Sequence, residues 1–398
     1  MVSLDPAKLA RRQLQRDHSR SCAKFSGLLQ YKMRRMASSP FAFLRGSAPL
    51  FYEILKRLPQ LAKGPDGVGW IVGDLHVENF GAFRAEQRGT SSEVIFNLND
   101  FDEAVVGPWR LDVLRFMTGV LLGSGGLPNA GPRSLEACQS MLDGYLAAIW
   151  GKPSFGKPPP SVQKLLRRVE HRTRRHLLDD RTRLIGRIRR FVRGERYRDL
   201  PKTLRAQARE AFSRYAQALP AKWHSDPRAY QVEDAAFRVA GTGSLGNLRI
   251  GIVAHGRGAP DGEWLFDMKE EGVPSPALLL GDPGMDGGER VVTAFRRCLR
   301  HPPRMIGRTR LGKTSLFVRR LAPQEDKLAM ASVEPDELSG LARFLGSLAG
   351  SAHRRGATAS PVRWSKQQQR QLIDQAVILA GIHEASYLAF CRFLPDSG

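Results

Sequence analysis

The sequence predicts an α+β protein with two lobes and a basic segment inserted between them. Three observations lead to this prediction. Acidic loops alternate with short strand-like runs from Gly69 to Glu103, a glycine-rich turn lies between strand-like runs at residues 236–254, and apolar residues recur at helical spacing near both chain ends. Proline and glycine divide the chain. The predicted parts are therefore residues 1–150, 151–230, 231–325 and 326–398.

Strands and turns place the acidic residues of the first part. The run Gly69 to Val72 indicates a short strand that leads into a loop headed by Asp74. Residues 93–98 indicate another strand, which ends just before Asp100. Residues 82–84 and this later strand have the character of a hairpin. Both aspartates are therefore expected at strand ends.

These loops carry the residue types that ATP-dependent phosphoryl transfer places around a nucleotide-bound magnesium ion. Asp74 is predicted to accept the proton of a substrate hydroxyl. Asn79 and Asp100 are predicted to bind Mg²⁺, which takes few protein ligands and prefers hard oxygen atoms. Asp102 is predicted to bind a second metal ion or to orient the loop. The alternative is that the aspartates are ordinary turn residues, since aspartate is favoured in turns.

A second group of residues is predicted to hold the phosphates of ATP. Gly241, Gly243, Ser244 and Gly246 lie in a turn between two strand-like runs. A dinucleotide-binding glycine motif must be followed by a helix, whereas the residues after Gly246 have strand character. The turn is therefore predicted to cover phosphates as a kinase glycine-rich loop does. Ordinary hairpin-turn chemistry is the alternative.

A lysine follows this turn at the end of a strand-like run, Trp264 to Met268. Lys269 is predicted to reach the α and β phosphates. Its neighbour Glu270 would face the other side of the strand, so Glu289 is the predicted carboxylate partner of the lysine. Glu289 opens the predicted helix 289–300. The alternative for Glu289 is an acid that the helix dipole favours in the first turn.

Residues 307–314 match the P-loop pattern GxxxxGK[ST] letter for letter. A working P-loop needs a buried strand before it and a helix after it, so that helix N-terminal amides surround the phosphate. Here His301, Pro302 and Pro303 precede the pattern, and residues 315–318 have strand character. The match is therefore predicted to be accidental.

The motifs together resemble a known family. Those that carry the resemblance are Ser39 to Gly46, Gly73 to Gly81, and Asn99 to Glu103 followed by Gly107-Pro108. They resemble the bacterial domain-of-unknown-function family numbered 2252. The same loops are similar to the GDxHxxN and IDFxD motifs of aminoglycoside and choline phosphotransferases. That similarity implies a bilobal protein-kinase-like fold of the aminoglycoside phosphotransferase type, with ATP and magnesium.

By this resemblance Asp74 matches the catalytic aspartate, Asn79 and Asp100 match the metal ligands, and Asp112 matches the acid that follows the second motif. The sequence departs from the pattern at Val72, where a histidine or its equivalent is usual. The glycine loop also follows the catalytic loop along the chain instead of preceding it. A circular permutation accounts for that order, because chain ends in compact domains often lie close together. Residues 231–325 would then form the nucleotide lobe.

The composition adds a strong positive charge: 62 Lys and Arg against 39 Asp and Glu give a net charge of +23. Many arginines alternate with apolar residues between Lys164 and Arg198, which predicts a basic helical insertion. This insertion is expected either to bind nucleic acid or another anionic partner, or to form a solvated basic face.

Other features of the sequence bear on location and cofactors. No apolar run is long enough to span a membrane, and the N-terminus lacks the apolar core of a signal peptide, so the protein is expected in the cytoplasm. The 4 cysteines are scattered, which indicates neither a zinc site nor a disulfide framework.

The sequence therefore predicts a magnesium-dependent ATP phosphotransferase that acts on a hydroxyl group of a small molecule or a protein. Two alternatives remain open. One is transfer of AMP with the nucleotide bound in the reverse direction. The other is a nucleic-acid-binding protein with a degenerate kinase fold, for which residues 164–198 are the distinguishing feature.

Overall fold

The computed structural model describes residues 4–21, 27–86, 93–126, 130–151, 155–224, 228–241, 243, 245–256 and 258–394. Over these ranges the protein is a mixed α/β structure that combines helices with antiparallel sheets. The helices are α1 Pro6–Ser21, α2 Leu28–Met36, α3 Pro40–Gly46, α4 Ala48–Arg57, α5 Arg110–Gly123, α6 Ala130–Trp150, α7 Pro160–Glu170, α8 Arg174–Arg181, α9 Lys202–Gln217, α10 Ala277–Leu280, α11 Gly287–Cys298, α12 Leu338–Arg355 and α13 Lys366–Cys391. The strands are β1 Val68–Ile71, β2 Phe80–Arg84, β3 Val94–Leu98, β4 Val105–Pro108, β5 Thr182–Ile185, β6 Ile188–Phe191, β7 Tyr197–Arg198, β8 Val232–Arg238, β9 Arg249–Ala254, β10 Trp264–Glu270, β11 Gly307–Leu311, β12 Thr314–Leu321 and β13 Asp326–Lys327.

A six-stranded antiparallel sheet forms one half of the molecule, in the order β11-β12-β10-β9-β8-β7. Successive side chains of a strand point to opposite faces of a sheet. On β10, Phe266 and Met268 pack in a core with Phe212 of α9. Asp267 and Lys269 therefore point to the other face, where they line a cleft.

The second half consists mainly of helices around a large core that also includes β1 to β4. Helices α6 and α12 pack closely along their length: a Cβ atom on Gly346 would lie 2.2 Å from the carbonyl oxygen of Met141. Helix α11 joins the two halves, because Phe295 contacts both Phe317 of β12 and Phe101 of the helical half, with ring centroids 5.6 and 4.6 Å apart. The two halves therefore share aromatic packing beside the cleft.

Several predicted elements are confirmed. Strand β1 covers most of the predicted run, β2 pairs with β3 as a hairpin, and β8 pairs with β9 on either side of the glycine-rich turn. Residues 307–321 form the antiparallel pair β11 and β12, with Gly312 in the turn at φ 57°. The strand β12, and not a helix, directly follows the P-loop pattern, as the sequence predicted.

The structure corrects the interpretation of the basic segment. Residues 182–191 form the hairpin β5–β6 instead of a helix. The following residues 197–217 belong to the sheet half, because β7 pairs with β8 and α9 packs beneath the sheet. The chain then returns to the helical half after β12, where β13 pairs with β2.

Among the described helices, none combines the length and apolar character needed to cross a membrane.

Candidate active site

A cavity of about 650 Å³, called the main cavity here, lies between the sheet and the helical half. It brings together most of the residues that the sequence predicts for the site. The helical half contributes Asp74, Asn79, Asp100 and Asp102, and the sheet half contributes Gly241, Gly243 and Lys269. Residues from distant parts of the chain therefore line one shared space.

The loop before Asp74 is fixed by buried hydrogen bonds. Gly73 has φ 80°, and a Cβ atom there would lie 2.0 Å from the carbonyl oxygen of Glu103. The fully buried carboxylate of Asp112 accepts hydrogen bonds from the backbone N–H groups of Val72 and Gly73 at 2.6 and 2.9 Å. Only glycine fits this conformation and approach, and Asp112 supplies the acceptors that hold it.

The carboxylate of Asp74 is only 18% exposed and has one strong cationic partner. Nε of the fully buried Arg115 donates a hydrogen bond to Oδ1 of Asp74 at 2.6 Å. Burial raises the pKa of Asp74 to about 6, while Arg115 opposes the shift and Glu103 adds to it. The carboxylate is therefore oriented by Arg115 yet remains more basic than an ordinary aspartate.

Asn79 lies beside Asp74 and has an unused acceptor. Its Nδ2 donates a hydrogen bond to the backbone carbonyl of Asp74 at 2.8 Å, which fixes the amide. Its Oδ1 is buried and has no hydrogen-bond partner among the described residues. The unpartnered Oδ1 of Asn79 is the clearest indication of a ligand at this point.

Burial, with the charges of Arg45 and Arg115, holds the pKa of nearby His76 well below its usual value.

Asp100 and Asp102 each contact a lysine. Nζ of Lys327 donates a hydrogen bond to Oδ2 of Asp100 at 2.8 Å. Burial by itself would raise the pKa of Asp100, but Lys327 and Lys269 hold it well below its usual range. Asp102 contacts the ammonium group of Lys269. Each of the two carboxylates is therefore paired with a lysine of the cavity.

The donor set fits a magnesium ion. Among the described residues no group of three or more histidine, cysteine or acidic side chains is arranged to hold a metal ion. Magnesium does not require such a group, because it binds through one or two carboxylates together with phosphate oxygens and water. The unpartnered Oδ1 of Asn79 and the carboxylates of Asp100 and Asp102 are hard oxygen donors that line one cavity.

Lys269 has a different glutamate partner from the predicted one. Its ammonium group lies 3.6 Å from the carboxylate of Glu271, which is 4% exposed. Burial raises the pKa of Glu271 to about 7, and Lys269 opposes this shift. Glu289 is 47% exposed, pairs with Arg308 at 3.5 Å, and does not line the main cavity. The expected pairing of Lys269 with Glu289 is therefore corrected, because α11 directs this glutamate away from the cleft.

The glycine-rich segment reaches the cavity in part. Gly241 and Gly243 line it, whereas Gly246 lies at the next turn with φ 106° and is not part of the lining. Ser244 lies outside the described residues. Helix α2 contacts this segment, since Nη1 of Arg35 donates a hydrogen bond to the carbonyl of Gly241 at 3.4 Å. The N-terminal helices therefore border the predicted phosphate site.

The sheet face above Lys269 carries charges that the sequence did not single out. Arg238 and Arg249 both contact the carboxylate of Asp267, which is 1% exposed. Burial would raise the pKa of Asp267, but these two arginines hold it well below its usual range. Nε of Arg238 is buried without a hydrogen-bond partner among the described residues. Two guanidinium groups thus share one carboxylate at the edge of the cavity.

Many arginines of the basic segment pair with carboxylates of the same molecule. Its apolar side is also used, because Val162, Leu165 and Val169 are buried in the helical half. The ion pairs are Arg168 and Arg172 with Asp326, Arg175 and Arg189 with Asp179, Arg181 and Arg196 with Asp180, and Arg193 with Asp234. These seven arginines share four carboxylates, so part of the local positive charge is balanced internally.

The fold and site define a mixed α/β protein with a polar, charged cleft between an antiparallel sheet and a helical half. The chain matches the model of DUF2252, described as an uncharacterized protein conserved in bacteria, over residues 24–152 and 156–393, and it belongs to that family. The comparisons found no match among curated proteins and none among solved structures.

Proposed function

We propose that the protein is a magnesium-dependent ATP phosphotransferase that acts on a hydroxyl group. One observation carries the proposal: a single cavity is lined by the basic carboxylate of Asp74, by Asn79 with its unpartnered amide oxygen, by Asp100, and by the buried Lys269 from the sheet half. Phosphoryl transfer depends mainly on positioning and on stabilising negative charge, and these groups provide both.

Asp74 would accept the proton of the substrate hydroxyl. A pKa of about 6 leaves this carboxylate ionised at neutral pH while keeping it more basic than a solvent-exposed aspartate. Arg115 and the Asn79 amide hold the loop, so the carboxylate keeps its orientation as the proton moves. The hydroxyl oxygen would form the new bond to phosphorus as the bond to the departing ADP breaks.

The nucleotide would be held between the two halves. Asn79 and Asp100, with Asp102, would hold magnesium, which when bound neutralises charge on phosphate oxygens. Lys269 and the pair Arg238 and Arg249 would bind phosphate from the sheet side. The glycine-rich turn connects β8 and β9, and Lys269 lies on the next strand, β10. Kinases likewise carry their phosphate-binding lysine on the third strand, after the two strands that flank the glycine-rich loop.

A kinase-like fold with permuted chain order is part of this proposal. The small lobe would be the six-stranded sheet with α11, and the large lobe would combine the chain's N-terminal and C-terminal helices. Helices α1 and α13 pack against each other, so both ends of the chain contribute to one half. Such proximity is what a circular permutation requires.

The first experiment is thermal unfolding with ATP, with and without magnesium. A ligand that binds the native state at 100 times its Kd raises the free energy of unfolding by about 2.7 kcal/mol. We expect stabilisation by ATP with magnesium and much less when a chelator is present. No shift in the unfolding temperature at saturating ATP and magnesium would contradict the proposal.

Isotope labelling separates the two transfer reactions. ATP labelled at the γ phosphate and ATP labelled at the α phosphate are incubated in parallel with the protein and a bacterial extract of hydroxyl-bearing metabolites and proteins. Phosphoryl transfer moves only the γ label to an acceptor, whereas AMP transfer moves only the α label. The Asp74→Asn variant is the matched control and should transfer neither label while still being stabilised by ATP.

A further inference from the structure

We propose that the protein has a second anion-binding site. The site is a pocket of about 430 Å³ that is lined in part by residues 322–325. It takes a small anion whose phosphate groups carry at least two negative charges. This pocket, called the arginine pocket here, shares no lining residue with the main cavity. It is a different site from the proposed nucleotide site and does not depend on that function.

Five arginines converge on the arginine pocket from separate elements. They lie at the end of β2, in the turn between α7 and α8, at the start of α8, in the loop before β11, and on β12, and they are Arg84, Arg172, Arg174, Arg304 and Arg320. The carboxylates in the lining are Glu170 and Glu325. Glu325 is already bound to Arg319 at 3.0 Å. The pocket therefore has a clear excess of positive charge.

Three of these arginines have no carboxylate partner among the described residues. Arg174 donates a hydrogen bond to the carbonyl oxygen of Gly262 at 2.8 Å. The guanidinium groups of Arg304 and Arg320 lie over tryptophan rings at 4.7 and 5.6 Å from the ring centroids. Nε of Arg320 is buried, and none of the described residues forms a hydrogen bond with it. Their donor capacity is thus largely unused, which favours an acceptor-rich ligand.

The arginines also repel one another. Burial, together with the charges of Arg174 and Arg304, lowers the pKa of Arg320 to about 10. The pKa values of Arg174 and Arg304 are likewise lowered, first by burial and then by the charge of Arg84. Like charges held close together cost stability unless an anion neutralises them. The geometry of the pocket is therefore that of a site built for a counter-ion.

The shape of the site selects the class of anion. Guanidinium groups form paired hydrogen bonds with phosphate oxygens, and several of them around one space suit a ligand with more than one phosphate. A pocket of this volume is in the range that holds small molecules. A nucleic-acid backbone would instead require cations spread along a surface. A small phosphate-bearing anion is therefore the ligand that the pocket fits.

The two sites lie on opposite faces of one strand. Arg319 and Arg320 are neighbours on β12, and Arg319 lines the main cavity while Arg320 lines the arginine pocket. Arg319 also donates a hydrogen bond to Oδ1 of Asn99, next to Asp100, at 3.1 Å. Glu325 contributes to the arginine pocket while it binds Arg319. The strand end is thus a direct physical connection between the two sites.

Calorimetric titration with inorganic pyrophosphate tests the proposal. A chelator removes divalent metal ions, and every chain carries Lys269→Met so that the lysine of the main cavity does not contribute. We expect Arg174→Ala and Arg304→Ala each to weaken pyrophosphate binding about tenfold, because each removes charge-assisted hydrogen bonds. Arg183→Ala removes an exposed arginine of the β5–β6 hairpin and should leave the affinity unchanged.

Thermal unfolding of the same chains without added anion guards against a folding defect. Removing one of several mutually repelling charges should leave the unfolding temperature of Arg304→Ala equal to or above that of its parent. Equal pyrophosphate affinity in all chains, or no pyrophosphate binding to the Lys269→Met parent, would overturn the proposal. So would a pocket-dependent affinity for a single-stranded oligonucleotide in the absence of pyrophosphate binding.

Discussion

The ammonium group of Lys269, on β10, contacts the carboxylate of Asp102, in the loop after β3. The two residues are 167 positions apart in the chain. Both are largely buried, with 7% and 24% of their side chains exposed. The contact joins the lysine-bearing strand to the acidic loop and makes the main cavity a single site. Function that depends on both halves can therefore be tested by changing either residue.

Replacing Lys269 with methionine should abolish the stabilisation by ATP and magnesium. The substitution keeps much of the side-chain length but removes the charge that would bind phosphate. Lys313→Met is the matched control, since Lys313 is the exposed lysine of the P-loop pattern in the β11–β12 turn. Differential scanning fluorimetry with and without nucleotide measures both. Loss of the nucleotide response in Lys313→Met alone would instead support the P-loop interpretation.

Glu271→Gln should weaken the ATP response, whereas Glu289→Gln should leave it at the wild-type level. Glu271 lies 3.6 Å from the Lys269 ammonium group and is buried, so it helps to hold the lysine in place. Glu289 makes an exposed ion pair with Arg308, a type of contact worth about 1 kcal/mol or less. The measurement is the apparent Kd for ATP with magnesium. A weaker ATP response in Glu289→Gln, with a wild-type response in Glu271→Gln, would instead identify Glu289 as the partner of Lys269.

The convergence of Asp74, Asp100 and Lys269 could be predicted because each residue stands in a local pattern of strand and turn that the sequence displays. The glutamate partner of Lys269 could not be predicted from the sequence. It depends on where α11 crosses the sheet, which is a matter of tertiary packing. A local signal did exist, because Glu271 lies two positions after the lysine and so on the same face of an extended chain.

Two other features of the structure were not predicted from the sequence. Arg115 contacts Asp74 from α5, a helix whose pattern is almost entirely apolar, and nothing local distinguishes this buried arginine from a surface one. The β5–β6 hairpin was expected to be helical because Leu184, Ile185 and Ile188 also fit helical spacing. Gly186, at φ 64°, was the contrary signal, since such a residue favours a tight turn between strands.

Asp74 should make the stability of the protein depend on pH. Its folded-state pKa of about 6 lies above the value of about 3.9 expected in the unfolded chain. The folded state therefore binds the proton more tightly, and the ionised carboxylate lowers stability. This cost is absent below pH ~4, develops as the pH rises through the two pKa values, and is complete above pH ~6.

Asp74→Asn removes that cost. The free energy of unfolding of the variant relative to wild type should rise by about 3 kcal/mol between pH ~4 and ~6, because the two pKa values differ by about 2 units. Urea unfolding of both proteins at a series of pH values gives the difference in the free energy of unfolding. A difference that stays constant with pH would show that Asp74 has an ordinary pKa and would remove the argument for its role as a base.

Asp112→Asn should destabilise the protein by about 3 kcal/mol, because it breaks a buried hydrogen-bond network. The Asp112 carboxylate accepts hydrogen bonds from the N–H groups of Val72 and Gly73, and lies 3.0 Å from Nε2 of the buried His353. Asparagine offers one oxygen and would direct an NH₂ group at these donors.

Asp336→Asn is the control, since the side chain of Asp336 is 92% exposed in its pair with Arg133. Urea unfolding should show a large loss for the first variant and a change within about 0.5 kcal/mol for the second. Equal stabilities would mean that the loop before Asp74 does not depend on Asp112 for its conformation.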